Sequence, residues 1–350
     1  MNFNIGDRKV GDEAPVLIVA ELSCNHMQDF QTAMDTIAAM KEAGADAVKV
    51  QTYTPDTITI DSEREYFQIR QGTLWDGTTL YRLYRKAYTP WDWQPALKER
   101  AQDLGLIFFS SPFDKTAIDF LENMDVPAYK IASFEITDLP LIEYAASKMK
   151  PLIISTGIAT FSDIEEAVKA CRITGNQQIA LLKCTSAYPA PFDEINLKSI
   201  PHLSNTFNAV VGVSDHTLGI SVPIAAAALG AKIIEKHFIL DRRFASPDAP
   251  FSLEPDEFRS MVKAVREAEM ALGHASYELT DKTKRSRTFC RSLFAVSNIR
   301  KGETITVSNV RSIRPGYGLP PKYLKDILGK TVQRDIERGT PMAWEYFDGE

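Results

Sequence analysis

The segment VVGVSDHTLGISVPIAAAALGAKIIEKHF, residues 210–238, contains one complete strand–helix–strand unit. Apolar runs at 209–215 and 232–238 flank a segment, 219–230, whose length and apolar content predict a helix packed on a sheet. A strand, a helix and a second strand in this order predict two parallel strands joined by a helical crossover.

Similar units recur along the chain up to about residue 273. The apolar, β-rich runs occupy residues 16–24, 47–53, 106–113, 128–134, 151–157, 179–186, 209–215 and 232–238. Near-continuous apolar strands separated by helices indicate a parallel sheet covered on both faces, and eight such units predict a closed (β/α)8 barrel, the TIM-barrel fold. An open doubly wound sheet is the alternative, but no GxGxxG motif follows the first strand.

Amphipathic patterns predict helices between and after these strands, for example over 31–43, 162–172 and 255–272. Ser162 stands three residues ahead of Glu165, which is the spacing of an N-cap in a capping box. The segment 255–272 begins with a proline and two acidic residues, as helices commonly do.

Composition and charge exclude several classes of protein. The 350 residues include 40 Lys and Arg against 46 Asp and Glu, and the basic residues form no long runs of the kind that bind nucleic acid. No apolar stretch approaches the ~20 residues of a membrane helix. The four cysteines form no CxxC pair and no secretory signal is recognisable, so we expect a protein of the reducing cytoplasm with neither nucleic acid nor membrane as a partner.

The pattern changes after about Leu272. Residues 274–289 are polar and charged, which is typical of a connector. Residues 290–350 contain short β-rich runs separated by glycine turns and predict a small, mostly β module of about 60 residues. We therefore expect a barrel domain over 1–273, a linker over 274–289 and a second domain over 290–350.

Lysines on predicted strands indicate an anionic ligand. Lys49, Lys130 and Lys183 lie on such strands, where a buried ammonium is costly without a negative partner. With the serine and threonine hydroxyls at several strand ends, they suit a phosphate or a phosphate with a carboxylate. A Schiff-base lysine is another functional interpretation. The structural alternative is pairing within the protein, with Glu21, Glu135 and Glu235 as candidate partners.

Two of the five histidines close consecutive strands, His216 after the seventh apolar run and His237 in the eighth. Neighbouring barrel strands bring such ends within reach of one metal ion, and imidazole is a common metal ligand. The alternative is a pair of core histidines held by hydrogen bonds.

Nine short motifs are spread over the predicted barrel: AELSCNH, GADAVKVQTYTPDT, FFSSPFD, YKIASFE, STGIAT, LLKCTSAYP, GVSDHTLG, EKHF and SLEPDEF. In this order they resemble the motifs of the sialic acid synthase (NeuB-like) family, whose members condense phosphoenolpyruvate with an amino sugar. The segment that begins RSLFAVSNIRKGE is similar to the antifreeze-like (SAF) domain of that family. Residues 72–93, with YTPDTITI before them, look most like the pseudaminate-forming branch.

This resemblance implies a TIM barrel followed by a SAF domain, and a transferase activity. The expected reaction joins phosphoenolpyruvate, 2,4-diacetamido-2,4,6-trideoxy-L-altrose and water to give pseudaminate, and releases phosphate by C–O cleavage. Synthesis of N-acetylneuraminate or legionaminate is the alternative within the family. A Schiff-base aldolase and a non-enzymatic carbohydrate-binding protein are the less favoured alternatives outside it.

The resemblance also implies roles for individual residues. A divalent metal, Mn²⁺ or Mg²⁺ with Co²⁺ as a further candidate, is expected on His216 and His237. The expected catalytic residues are Glu21, Lys49, Gln51 and Glu235. The residues expected to bind phosphoenolpyruvate are Lys49, Lys130, Ser133, Ser155, Ser186, Tyr188 and Ser214. The residues expected to contact the sugar are Glu21, Ser111, Asp248 and Arg314. Because Arg314 lies in the SAF segment, the resemblance implies a domain-swapped homodimer in which this arginine reaches the partner's site.

Overall fold

The computed structural model describes residues 1–70 and 72–347. The chain divides into two compact units, Met1–Gly273 and His274–Glu350. The last three residues of the predicted second domain, 348–350, lie outside the described residues. Among the helices of the described residues, none has the length and apolar character needed to cross a bilayer.

A closed barrel of eight parallel strands forms the centre of the first unit, which confirms the predicted fold. The strands are β3 (Leu17–Glu21), β4 (Ala47–Thr52), β5 (Ile107–Pro112), β6 (Tyr129–Ile131), β7 (Leu152–Ser155), β8 (Ile179–Cys184), β9 (Val210–Asp215) and β10 (Ile233–His237). Each lies inside one of the predicted apolar runs. The last strand, β10, pairs with β9 on one side and with β3 on the other, and so closes the barrel.

An antiparallel hairpin precedes the barrel, made of β1 (Asn2–Ile5) and β2 (Arg8–Gly11). Its apolar side chains, from Phe3, Ile5 and Val10, share one buried cluster with barrel-interior residues near the amino ends of the strands. The hairpin therefore closes the barrel at the end opposite to the strand ends that carry the polar motifs.

Helices surround the barrel and follow its strands. They are α1 (Phe30–Glu42), α2 (Pro55–Ile58), α3 (Leu80–Ala87), α4 (Gln94–Asp103), α5 (Lys115–Asn123), α6 (Leu139–Ser147), α7 (Phe161–Ile173), α8 (Ser199–Phe207), α9 (Ser221–Ala228) and α10 (Pro255–Leu272). The predicted start of α7 was wrong. Thr160, not Ser162, has the extended backbone of an N-cap and forms the capping box with Asp163, because Ser162 already lies in the first helical turn.

Side chains alternate between the inside and the outside of the barrel along each strand, as the pleat requires. Ala47, Val210 and Ile233 belong to the interior cluster, whereas their neighbours along the strands pack under the helices. In β4 and β10 this alternation directs Lys49 and Glu235 inwards. The same phase directs Lys236 outwards.

The second unit is small and built mainly from short β pairings. β11 (Ser292–Ala295) pairs antiparallel with β12 (Val310–Ile313), and isolated bridges extend the pairing along the chain. Two short helices, α11 (Asp281–Ser286) and α12 (Leu324–Ile327), lie before and after this pair in sequence. The unit has its own core, which includes Leu293, Ile305, Val310, Ile327, Val332 and Met342.

Candidate active site

A cavity of about 660 Å³ opens at the carboxyl ends of the barrel strands. This is the end of a TIM barrel that carries the active site in enzymes of this fold. Most of the residues predicted for the site line it: Lys49, Gln51, Lys130, Ser133, Ser155, Tyr188, Ser214, His216, Glu235, His237 and Asp248. The barrel therefore gathers residues from widely separated parts of the sequence.

Two lysines and two glutamates form a buried cluster of charges at the floor of the cavity. Lys49 Nζ lies 3.0 Å from Glu21 Oε2 and 3.1 Å from Glu235 Oε1. Lys130 Nζ lies 3.3 Å from the same oxygen of Glu235. Pairing within the protein, which the sequence left as an alternative, is therefore present. We call Lys49, Lys130, Glu21 and Glu235 the charged floor.

Burial and charge oppose each other in this floor. Burial disfavours the Glu235 carboxylate, but the charges of Lys130 and Lys49 outweigh that effect and hold its pKa at about 2. For Lys49, the two glutamates outweigh burial and raise the pKa. For Lys130, burial has the larger effect and lowers the pKa. The ammonium of Lys130 is therefore the less well compensated of the two.

Several buried polar atoms around the floor have no hydrogen-bond partner. They include Glu21 Oε2, Glu235 Oε2, Ser155 Oγ and Ser186 Oγ. The 3.0 Å approach of Lys49 to Glu21 Oε2 is an ion-pair contact without hydrogen-bond alignment. Buried polar groups are nearly always paired in folded proteins, so a cluster of unpaired ones indicates a place that a ligand completes.

Backbone approaches the floor closely at Gly157. A Cβ atom at this position would lie 2.1 Å from Ser186 Oγ and 2.7 Å from Ser133 Oγ, so any other residue would displace these hydroxyls. The Gly157 N–H donates a hydrogen bond of 3.1 Å to Ser133 Oγ. Glycine here therefore lets the two hydroxyls stand side by side at the cavity.

The two predicted metal ligands lie together. The rings of His216 and His237 are 5.4 Å apart between centroids, and both line the cavity. His216 Nδ1 lies 3.1 Å from the Thr185 carbonyl oxygen; if it donates there, its Nε2 is left as an acceptor. His237 Nδ1 lies 3.4 Å from Asp248 Oδ2, yet it makes no aligned hydrogen bond.

These histidines fit a metal ion that takes only part of its coordination from protein. Within residues 1–70 and 72–347, no group of three or more His, Cys, Asp or Glu has the arrangement of a metal site. Two imidazoles, one of them with an unpaired buried nitrogen, leave the other positions of an ion to substrate and water.

One side of the cavity is apolar, and the sequence analysis predicts no functional role for it. Leu80, Leu83, Tyr84 and Ala87 on α3 line it together. Trp75 also lines this cavity; its Nε1 donates a 3.3 Å hydrogen bond to the Pro247 carbonyl oxygen. The cavity therefore combines a charged floor with an apolar side.

Comparison with known proteins assigns the family. The model of the NeuB family matches residues 36–277, and the model of the SAF domain matches residues 291–347. The chain belongs to the NeuB family. The predicted resemblance is thereby confirmed, and the SAF match falls within the second compact unit.

Relatives with named activities resemble most of the chain. The pseudaminic acid synthase of Campylobacter jejuni (serotype O:23/36) is 48% identical over 341 residues, which cover 97% of this chain and 96% of that protein. The pseudaminic acid synthase of Helicobacter pylori is 47% identical, covering 94% and 97%. The crystal structure of an N-acetylneuraminic acid synthetase from Leptospira borgpetersenii, in complex with citrate, matches with a TM-score of 0.73 and 31% identity, covering 82% of this chain and 95% of that one.

Within this NeuB barrel, three predicted residues lie beside the cavity lining. Glu21 accepts a hydrogen bond of 3.1 Å from Gln51 Nε2 and pairs with Lys49. Ser111 Oγ lies 3.5 Å from Lys49 Nζ. Ser186 Oγ is buried at Gly157. Arg314 belongs to the second unit, so its expected contact with the sugar stays a prediction.

Lys183 does not join the charged floor, contrary to the expectation for strand lysines. Leu182, beside it on β8, belongs to the barrel interior, so Lys183 has the outward phase. Its Nζ donates a hydrogen bond of 2.6 Å to the Cys184 carbonyl oxygen.

Two residues of this NeuB site were not among the predicted site residues. Cys184 Sγ lies 3.7 Å from His216 Nδ1, and although burial opposes ionisation, the neighbouring His216 lowers the pKa of the thiol to about 7. Glu135 lines the cavity, and burial raises its pKa to about 7. The position of Glu135 after a predicted strand is visible in the sequence. The absence of a hydrogen-bond partner for its Oε2 is visible only in the structure.

Proposed function

We propose that this chain is a pseudaminic acid synthase. It condenses phosphoenolpyruvate with 2,4-diacetamido-2,4,6-trideoxy-L-altrose and water, and it releases pseudaminate and phosphate. The observation that carries the proposal is the floor of the cavity, where two buried ammonium groups stand among unpaired buried oxygens. Identities of 48% and 47% to pseudaminic acid synthases, over almost the full chain, support this branch of the family.

Phosphoenolpyruvate binds at the charged floor in this proposal. Lys49 and Lys130 compensate its negative groups, and Ser155 and Ser186 offer hydroxyls that have no partner in the protein. Binding of an anion relieves the burial of Lys130, whose ammonium is the less compensated. The other proposed contacts to this substrate are Ser133, Tyr188 and Ser214.

Glu21 and Glu235 orient the water that adds to the former enol carbon. Glu235 Oε2 has no hydrogen-bond partner and can accept from that water, and Glu21 Oε2 contacts the Lys49 ammonium without hydrogen-bond alignment. Gln51 holds Glu21 in place through its 3.1 Å hydrogen bond. Substitution of either glutamate by glutamine should lower kcat by roughly 10²- to 10⁴-fold. Wild-type rates in both variants would remove this role.

His216 and His237 hold a divalent metal, Mn²⁺ or Mg²⁺ with Co²⁺ as a further candidate. When bound, such an ion supplies Lewis-acid activation of the acceptor's aldehyde. The Thr185 carbonyl fixes the ring of His216, and Asp248 lies beside the ring of His237. Removal of metal with EDTA should abolish phosphate release, and Mn²⁺ should restore it. Calorimetry of the His237→Ala variant should show no Mn²⁺ binding, and unchanged binding would place the metal elsewhere.

Ser111, Asp248 and Arg314 complete the sugar site with Glu21, and we propose that Arg314 comes from the partner in a domain-swapped homodimer. Mixed dimers test this arrangement. Arg314→Ala and Glu235→Gln proteins with different tags are co-expressed, and the mixed dimer is purified. One of its two sites is then intact, so it should show about half of the wild-type activity although each parent is inactive. An inactive mixed dimer would place Arg314 in its own subunit's site.

An acceptor panel tests the function itself. With phosphoenolpyruvate and Mn²⁺, phosphate release should be rapid with 2,4-diacetamido-2,4,6-trideoxy-L-altrose and slow with N-acetylmannosamine or the 2,4-diacetamido-6-deoxymannose precursor of legionaminate. Rapid turnover of either of the latter would reassign the chain to another branch. Borohydride should trap no adduct, since Lys49 is held as an ammonium group by two carboxylates.

The proposed setting is a reducing cytoplasm. All four cysteines are free thiols, and Cys24, Cys171 and Cys184 are buried. Such a pattern agrees with a compartment in which disulfides do not form.

A further inference from the structure

We infer that the apolar side of the cavity is the subsite for the methyl-bearing end of the acceptor sugar, the end opposite to the reacting aldehyde. This inference rests on the proposed function and identifies the part of the acceptor sugar that the cavity recognises. We call the surface formed by Ile69, Trp75, Leu80, Leu83, Tyr84 and Ala87 the α3 wall; all six residues line the cavity.

The helix α3 supplies most of this wall through one face. Leu80, Leu83, Tyr84 and Ala87 follow the i, i+3, i+4, i+7 spacing that places side chains on one side of a helix. Arg85 and Lys86 are exposed on the rest of the surface. An apolar helix face normally packs against protein, yet no residue of α3 is buried. Here the apolar face borders the cavity instead.

The loop before α3 is held in place beside it. The Ile69 N–H donates to the Thr78 carbonyl (2.9 Å), and the Gly77 N–H donates to the Ile69 carbonyl (3.1 Å), so the two arms of the loop pair with each other. Trp75 is fixed by its hydrogen bond to Pro247 and by ring contact with Tyr188, at 5.4 Å between centroids. The wall is therefore built by a folded loop and a helix.

The difference between the charged floor and the apolar α3 wall selects an orientation of the acceptor. The aldehyde carbon must meet phosphoenolpyruvate at the charged floor, because the new C–C bond forms there. A six-carbon acceptor then directs C6 away from the floor. In the proposed substrate C6 is a methyl group, which an apolar wall accepts by burial of hydrocarbon surface. A C6 hydroxyl would lose its hydrogen bonds to water against the same wall.

The wall therefore discriminates between 6-deoxy and 6-hydroxy acceptors. An apolar pocket rejects an analogue that carries an extra hydroxyl by about 10- to 100-fold. Leu83 is the position to alter, because a change at Tyr84 would also affect a charged neighbour. Burial and then the nearby Glu135 carboxyl raise the pKa of Tyr84. Leu83 is part buried on the cavity face, so a polar replacement changes the wall and leaves the core intact.

The experiment uses the full chain with phosphoenolpyruvate, Mn²⁺ and two acceptors, 2,4-diacetamido-2,4,6-trideoxy-L-altrose and its 6-hydroxy analogue. Wild type, Leu83→Gln, Leu83→Met and Arg85→Gln are compared by kcat/KM for each acceptor. We expect wild type to prefer the 6-deoxy acceptor by about 10- to 100-fold, and Leu83→Gln to reduce that preference to about 3-fold or less. Leu83→Met and Arg85→Gln should keep the wild-type preference, the first because the wall stays apolar and the second because its side chain is exposed.

The KM for phosphoenolpyruvate should be unchanged in all four proteins, since the charged floor is untouched. Equal use of both acceptors by wild type, or an unaltered preference in Leu83→Gln, would overturn the subsite. Absence of phosphate release by wild type with either acceptor would instead overturn the proposed function. A loss of folding in Leu83→Gln, seen as a lowered melting temperature, leaves the wild-type comparison of the two acceptors as the deciding measurement.

Discussion

Buried charges lie on both sides of the same barrel strands, and the two sets differ in how completely they are paired. On the outside, Lys236 and Asp215 face each other across β10 and β9. On the inside, the charged floor joins Lys49, Lys130, Glu21 and Glu235. Both sets are shielded from solvent, so burial alone does not distinguish them.

The outer pair is closed. Lys236 Nζ lies 2.6 Å from Asp215 Oδ2 and also donates to the Thr217 carbonyl oxygen. Asp215 Oδ1 accepts a hydrogen bond of 2.9 Å from the Thr217 N–H. Both charged groups are therefore hydrogen-bonded within the protein. The pair links the ends of β9 and β10, next to His216 and His237.

The inner floor is open, because Glu235 Oε2 and the hydroxyls of Ser155 and Ser186 have no hydrogen-bond partner, and Glu21 Oε2 meets Lys49 without hydrogen-bond alignment. Removal of one partner from a closed pair leaves a buried charge uncompensated and destabilises the fold, whereas a fully paired site offers few groups to a ligand. An incompletely paired set of buried charges is less favourable for folding, but it leaves polar groups available to bind a ligand. Substitutions that remove one charge from each set should therefore affect different properties.

The largest effect is expected for Lys236→Met, which leaves the Asp215 carboxylate buried without its counter-ion. The free energy of unfolding should fall by about 3–5 kcal/mol, as for other broken buried pairs. Urea denaturation followed by circular dichroism measures the loss. The matched variant is Asp215→Leu with Lys236→Met, which removes both charges and should regain most of the lost stability. A single variant as stable as wild type would show that the outer pair does not support the fold.

Lys130→Met, in the inner floor, should have little effect on stability and a large effect on activity. Glu235 keeps its contacts with Lys49, at 3.1 Å, and with Ser214, at 3.0 Å, so no carboxylate is stranded. The free energy of unfolding should change by less than about 1 kcal/mol. The loss of a charged hydrogen bond to phosphoenolpyruvate should lower kcat/KM for that substrate by about 10- to 100-fold.

Steady-state kinetics and urea denaturation on the same preparation separate the two quantities. A Lys130→Met protein that is strongly destabilised, or one that retains full activity, would contradict the distinction between open and closed sets. Lys183→Met is the control, since that lysine points out of the barrel and bonds only a neighbouring carbonyl.

The barrel was predictable because fully buried parallel strands appear in the sequence as continuous apolar runs. The hairpin was not predicted, since β1 and β2 are four residues each and β1 alternates exposed and buried positions, a pattern too short to stand out. The start of α7 was misplaced because Thr160 and Ser162 both carry a hydroxyl suited to capping. Only the backbone conformation distinguishes them.

Most of the site was predictable because polar residues at strand ends converge in any closed parallel barrel. The presence of a lysine on a strand does not show whether its side chain points into or out of the barrel. For this reason the sequence analysis places Lys183 with Lys49. The role of the α3 wall was not predictable, for a different reason. Its helical periodicity is visible at Leu80, Leu83 and Tyr84, but periodicity does not reveal whether an apolar face meets protein or a substrate.

Glu135 provides the test with the smallest expected effect, at a cavity-lining carboxyl outside the charged floor. Burial raises the pKa of this carboxyl from 4.5 to about 7, and its Oε2 has no hydrogen-bond partner. Below pH 4.5 the group is protonated in both states. Between pH 4.5 and 7 the folded protein binds more protons than the unfolded chain, so stability falls as pH rises. Glu135→Gln removes this penalty, since its side chain does not ionise.

At pH 8 the Glu135→Gln variant should therefore be more stable than wild type by about 1–2 kcal/mol, which is less than the full shift would give because the side chain is part exposed. At about pH 3.5, where the carboxyl is protonated in both states, the two proteins should be equally stable. Urea denaturation at both pH values measures the difference. A wild-type protein more stable than the variant at pH 8 would contradict this prediction. It would show that the ionised Glu135 carboxylate has an ammonium or hydroxyl partner in solution.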